Sequence, residues 1–192
     1  MNSFVAVLAI IIAYFCGTLP IAILIAKSKG IDITTFGSGN PGASNVARAL
    51  GTKYGILVFV GDALKGALPV ATMISDRPVA YACAAATVLG HVFPITRKFK
   101  GGKGVATFLG LLLALSLPVG TACCAAWVAI AALKRISSLA ALAAAGTSTF
   151  WMTLLGYSEG FVMGVILTTL IFWRHRSNIT RLRAGTEPKI GA

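Results

Sequence analysis

Long uncharged apolar runs, separated by short basic and glycine-rich links, organise the chain. Residues 1–26 carry no charge at all. Further apolar runs cover 54–75, 78–95, 104–133, 136–158 and 161–173, with Asp62 and Lys65 inside the first of these. A hydrocarbon core of about 30 Å takes about 20 apolar residues as helix. The pattern therefore predicts membrane-spanning helices.

The run 104–133 fits either one long helix or two, because it is broken near Ser116-Leu-Pro-Val-Gly120. Charge decides between them. With two spans there, and seven in all, every Lys and Arg except Lys65 and Arg77 falls on one side. A single long helix would separate Lys134, Arg135 and the basic tail from the other cations. Cytoplasmic loops carry the Lys and Arg excess of membrane proteins. The expected fold is an all-α integral membrane protein, a compact bundle of seven transmembrane helices. Its N-terminus lies outside and its C-terminus in the cytoplasm, with residues 1–192 as a single domain. Abundant Gly, Ala and Ser would allow close helix contact, and the shorter spans imply tilt or local thinning.

Composition agrees: 57% of residues are hydrophobic and only 11% charged, far fewer charges than a soluble domain carries. The net charge of +12 comes from 17 Lys and Arg against 5 acids. In a soluble protein that balance would point to nucleic acid. Here the cations border apolar spans, so membrane lipids are the expected partner and nucleic acid is not. Cys16, Cys83, Cys123 and Cys124 all sit in apolar runs with no CxxC spacing, as small residues at packing surfaces do. Acid ligands are scarce, so neither a metal nor a cofactor is expected. The first run lacks a basic n-region and is long enough to span, which marks it as a retained helix.

Two links stand apart from ordinary turns. The first reads Gly37-Ser-Gly-Asn-Pro-Gly-Ala-Ser-Asn-Val-Ala-Arg48. Gly37, Gly39, Pro41 and Gly42 shape the backbone, while Ser38, Asn40, Ser44 and Asn45 offer short polar groups. A helix starting near Ser44 would aim N–H groups at an anion, with Arg48 adding full charge. The second link runs from Gly90-His-Val-Phe-Pro94 to Phe99-Lys-Gly-Gly-Lys-Gly104. There Lys103 stands between Gly102 and Gly104 just before a helix, a natural place for a point charge on phosphate. A basic membrane anchor would account for Arg97 and Lys98, but not for the glycines around Lys103. A lone His such as His91 is more often a satisfied core residue than a ligand. In the tail, Trp173-Arg-His-Arg-Ser-Asn178, His175 and Asn178 would share a face if the last span extended outward. Asp62 and Lys65, also three apart, read as a buried structural ion pair rather than a catalytic one.

Together these motifs resemble the bacterial acyl-phosphate:glycerol-3-phosphate acyltransferases of the PlsY type. The likeness rests on residues 37–48 and 90–107, on Asp62-Ala-Leu-Lys-Gly66, on Ser137-Ser-Leu139, and on the tail from Arg174. It implies a seven-helix enzyme of the bacterial cytoplasmic (inner) membrane with its active site facing the cytoplasm. The implied reaction moves an acyl chain from acyl phosphate to the 1-hydroxyl of sn-glycerol 3-phosphate, giving lysophosphatidic acid and phosphate. By motif match Ser38, Arg48 and Lys103 would hold phosphate, and Ser137, His175 and Asn178 would complete the polar site. Gly39, Asn40, Gly42, Ser44, Asn45, His91 and Gly102 would line the substrate pocket. Pro41 stands where the family pattern has Ile, which removes one N–H donor. The Ser137-Ser138 pair leaves two candidates for one hydroxyl.

An acyl phosphate is already activated, so positioning and charge stabilisation carry most of the catalysis. A Ser-His-Asp relay is poorly supported, because Asp32 and Glu187, the acids on the cytoplasmic side, lie outside the central motifs. The acceptor proton would go to His175 or to a substrate phosphate, by direct transfer without an acyl-enzyme. The chief rival is a membrane transporter of a phosphorylated metabolite, but this chain shows no internal repeat and gathers its polar residues on one face. A small lipid-contacting anchor protein would not require glycine beside Asn, Ser and Arg.

Overall fold

The computed structural model describes residues 2–191, and among these all regular structure is helical. Met1, the first residue of the first expected span, and Ala192 lie outside the described residues. Four helical stretches are long and apolar enough to cross a membrane: Ser3–Lys27, Thr52–Ala71, Arg77–Arg97 and Leu117–Lys134. Their outward faces are strongly apolar, with Phe4, Leu8, Leu64, Leu68 and Val128 exposed, as in helices that meet lipid. The protein is an integral membrane protein. The chain divides into two compact units, meeting in sequence at Leu115 and Ser116.

The first unit holds α1 (Ser3–Gly17), α2 (Ile21–Lys27), α3 (Ala43–Leu50), α4 (Thr52–Ala71), α5 (Arg77–Val92) and α6 (Val105–Leu115). Glycine sets its two closest crossings. A Cβ on Gly66 of α4 would strike the Thr107 carbonyl of α6, and one on Gly110 would strike the Ala63 carbonyl of α4. The α1–α5 crossing repeats the device, with Gly17 against Thr87 and Gly90 against Tyr14. In lipid the hydrophobic effect does not drive helices together, so backbone approach at small residues must. Arg77, the cation left apart from the others by the charge reading, donates to Leu115 O at 2.8 Å and so caps the end of α6.

The first expected span is not one helix. Pro20 disfavours helical geometry at Leu19 and cannot donate to the ladder, so α1 ends at Gly17 and α2 restarts at Ile21. Lys65 of α4 donates to the Leu19 carbonyl at 2.8 Å. That carbonyl also accepts from Ile21 N at 3.1 Å, so the break is held both by its own backbone and by α4.

The second unit holds α7 (Leu117–Lys134), α8 (Ser137–Leu154), α9 (Phe161–Arg174) and α10 (Arg176–Arg183). The break expected within 104–133 falls at Ser116, whose extended backbone ends α6 and whose hydroxyl accepts from Val119 N at 3.4 Å. α8 and α9 are joined by Thr168, which donates to Ala145 O at 2.9 Å and lies 3.2 Å from the Ser148 hydroxyl. The last expected span does not run on through the tail. His175 interrupts it, and Asn178 belongs to a separate helix, so the two residues do not share one continuous helical face.

Candidate functional site

In the first link Asp32 opens the turn, accepting from Thr34 N at 2.9 Å and from the Thr34 hydroxyl at 2.7 Å. Those two bonds hold its carboxyl below the ordinary value, and attraction to Arg97 adds to them. Gly37 and Gly39 then take the left-handed region, at φ 54° and 66°. Asn45, buried on α3, pins the link from within. Its Oδ1 accepts from Ser38 N at 3.2 Å, while Nδ2 donates to Ile33 O at 3.2 Å and Phe36 O at 2.9 Å. Asn45, which the sequence reading placed among pocket-lining groups, thus also shapes the loop. Ser44 and Arg48 lie four apart on the exposed face of α3, and Ser38 is exposed. Gly39, Asn40 and Gly42 are half-buried, with Asn40 N donating to Ser38 Oγ at 3.4 Å.

The second link folds back along the end of α5. Tyr14 of α1 donates its hydroxyl to Phe93 O at 2.8 Å and accepts from Ile95 N at 3.1 Å. Past a short turn at Ile95–Arg97, Lys98 and Phe99 both have positive φ. The chain then returns, with Gly101 N donating to Val92 O and Gly102 N to His91 O, each at 3.1 Å. Lys103, half-buried, follows, with Gly104 between it and α6.

Beneath this link lies a buried polar cluster. Lys65 Nζ stands 2.7 Å from Asp62 Oδ1. The His91 ring has its Nδ1 at 3.3 Å from the Thr107 hydroxyl and 3.8 Å from Asp62 Oδ1. A small cavity opens over the cluster, lined by Asp62, Lys65 and His91, by Pro41 of the first link, and by Arg97 and Gly102 of the second. The structure thus brings both glycine-rich links to one cavity in the first unit. Arg97 was read as part of an anchor, and the sequence offered no signal that it would turn inward.

The second unit has its own polar hub. Glu187 accepts from the Ser138 hydroxyl at 2.7 Å, from Asn178 Nδ2, and from Arg181 Nε at 2.7 Å. Burial favours its neutral form, yet the bonds from Ser138, Asn178 and Arg181 prevail and hold the carboxyl below its ordinary value. Of the two adjacent serines Ser138 reaches this hub, while Ser137 is the half-buried first residue of α8. The buried His175 has Nδ1 at 2.8 Å from Ile171 O, which places a proton on Nδ1 in the neutral ring and makes Nε2 the basic nitrogen. Glu187 is the residue that sequence reasoning passed over. Its one signal was scarcity, as one of 5 acids in the chain.

The family model for glycerol-3-phosphate acyltransferase matches residues 7–185. A glycerol-3-phosphate acyltransferase of Ruegeria pomeroyi is 47% identical over 94% of this chain and 91% of its own length. One from Thioalkalivibrio sulfidiphilus is 47% identical over 93% and 91%. Among solved structures, the glycerol 3-phosphate form of PlsY, an integral membrane glycerol 3-phosphate acyltransferase, superposes with a TM-score of 0.93. It is 41% identical and the match covers 97% of this chain and 96% of that one. The lysophosphatidic acid form gives a TM-score of 0.91 at 41% identity, covering 97% and 95%. This chain belongs to the glycerol-3-phosphate acyltransferase family.

Proposed function

We propose that this protein transfers an acyl chain from acyl phosphate to the 1-hydroxyl of sn-glycerol 3-phosphate, releasing phosphate and 1-acyl-glycerol 3-phosphate. The observation that carries the reading is the near full-length likeness to an enzyme solved with acceptor and with product. The converging glycine-rich links give it a physical basis, since backbone amides and nearby cations suit phosphate headgroups.

In this reading Ser38, Arg48 and Lys103 hold phosphate. Gly39, Asn40, Gly42, Ser44, Asn45, His91 and Gly102 form the substrate-binding surface, and Asn45 also fixes the loop. Ser137, His175, Asn178 and Lys103 form the catalytic set. Transfer is direct: the acceptor oxygen bonds to the acyl carbon, the acyl–phosphate bond breaks, and the proton passes to His175 Nε2 or to a substrate phosphate. The protein acts as a single acyltransferase domain over residues 1–192, in seven spans. Its N-terminus is outside, its C-terminus cytoplasmic, and its site faces the cytoplasm at the bacterial inner membrane.

The test supplies purified protein with glycerol 3-phosphate and, in separate assays, acyl phosphate, acyl-coenzyme A or the acyl thioester of acyl carrier protein. Lysophosphatidic acid formed from acyl phosphate alone is the expected result. Product from a thioester but not from acyl phosphate would replace the donor. Phosphate movement across sealed vesicles without ester formation would favour a transporter. Covalent acyl label on Ser38, Ser44 or Ser137 would overturn direct transfer. Arg48→Ala and Lys103→Ala should each lower turnover by about 10- to 100-fold, through loss of a charge-assisted contact to phosphate.

A further inference from the structure

His91 is held on every side that the cluster defines. Thr107 reaches its Nδ1 from α6 at 3.3 Å, and Asp62 lies 3.8 Å from the same nitrogen on α4. Thr107 can come so close to α4 because Gly66 has no Cβ to block its carbonyl. The other side of the ring meets the second link. A Cβ on Gly102 would collide with Nε2 of His91, and Gly102 N–H is bonded to the His91 carbonyl at 3.1 Å. Ring and carbonyl of one residue therefore fix Gly102 from two directions, one residue before Lys103.

We infer that His91 is a positioning residue for Lys103: clamped by Thr107 and Asp62, its ring is the surface on which Gly102 lies, and this sets the path of the backbone that carries Lys103. Lys65 and Arg97 line the same cavity and supply its positive charge, while Asp62 supplies the negative charge. The role rests on the proposed acyltransfer only in giving Lys103 a phosphate to hold. The clamp itself is independent of that chemistry. It also explains the glycine at 102 by sterics: the position has room for hydrogen and for nothing larger.

The experiment compares full-length wild type, His91→Ala, Gly102→Ala, the double variant, Thr107→Val and Thr107→Ser. Two readouts are taken: steady-state kinetics with acyl phosphate and glycerol 3-phosphate, and trypsin cleavage after Lys103 well below the unfolding temperature. His91→Ala and Gly102→Ala should each lower kcat/KM by about 10- to 100-fold, as expected for a reactive group displaced by an ångström or so. Both should also speed cleavage after Lys103. The double variant should be no worse than either single one, because the methyl added at position 102 enters the space the ring vacates. Thr107→Ser should keep wild-type behaviour and Thr107→Val should lose it. Multiplicative losses in the double variant, or unchanged cleavage in His91→Ala, would overturn the inference. A wild type inactive on these substrates would sink the proposed reaction, while the cleavage pattern would still decide the clamp.

Discussion

Single residues explain where this chain departs from an ordinary bundle of apolar helices. Asp62 and Lys65 are three apart, so their pairing could be read from the sequence. The bond from Lys65 to Leu19 O could not, because it joins positions 46 residues apart and exists only where Pro20 has opened α1. Removing one member of a buried pair leaves an unpaired charge and costs about 3–5 kcal/mol. Asp62→Asn and Lys65→Met should therefore each lower thermal stability in detergent at least as much as they lower the activity of the folded fraction. A well-folded but inactive Asp62→Asn enzyme would mark that carboxylate as part of the chemistry. Glu187 belongs to the same scale. Its carboxyl lies below the ordinary 4.5 in the folded protein, so its bonds stabilise the fold above that pH. That contribution fades as pH falls through the lower folded value. Arg181 is partly exposed, which limits the gain, and Glu187→Gln should cost about 1–2 kcal/mol at neutral pH. The gap between wild type and variant, read as unfolding temperature, should hold steady from pH 7 toward pH 4.5 and narrow only below it. A gap that stayed constant would mean the carboxylate charge is not what holds the tail.

Helices pack here by leaving space rather than filling it, and composition alone could only hint at that. The count of 21 glycines suggested close approach, but not which glycines make it. Gly66 and Gly110 press α4 and α6 together carbonyl to Cα, so a methyl at either must push backbone, not a flexible side chain. Gly66→Ala or Gly110→Ala should cost about 1–3 kcal/mol or more, the range for overpacked cores. Gly146 of α8 is the control. A Cβ there would meet the Phe172 ring at an ordinary 3.5 Å. Gly146→Ala should be neutral or stabilising, by up to about 1 kcal/mol from helix propensity. Equal losses at Gly66 and Gly146 would refute the packing argument. The helix breaks were unequally legible for a related reason. Ser116-Leu-Pro gave a cap, a proline at the second helical position and a boundary. Pro20 lay inside an uncharged run, where continuity of hydropathy hid the interruption.

For the molecule as a whole, the distribution of cations gives the strongest constraint on how the chain enters the bilayer. Lys and Arg near span ends favour the cytoplasmic side, and anionic lipid there attracts each by about 1 kcal/mol. Under the proposed seven-span topology the links at 28–51 and 93–104, the α7–α8 turn and the tail share that side, with Asp76 and Arg77 opposite. Both glycine-rich links already meet at one cavity in the first unit, so these two cannot face different compartments without unfolding it. The α7–α8 turn and the tail are less constrained, and they are where the topology can fail. Cysteines placed singly at 40, 103, 135 and 76, in a background where the four native thiols are replaced, should report it in intact cells. An impermeant maleimide should label only position 76 until the inner membrane is opened, after which the other three should react. Labelling of position 135 from outside would turn 104–133 into one crossing and strand Lys134 and Arg135 on the side that the positive-inside rule disfavours. The six-span alternative would then hold, and the cytoplasmic assignment of His175 and Asn178 would fall with it.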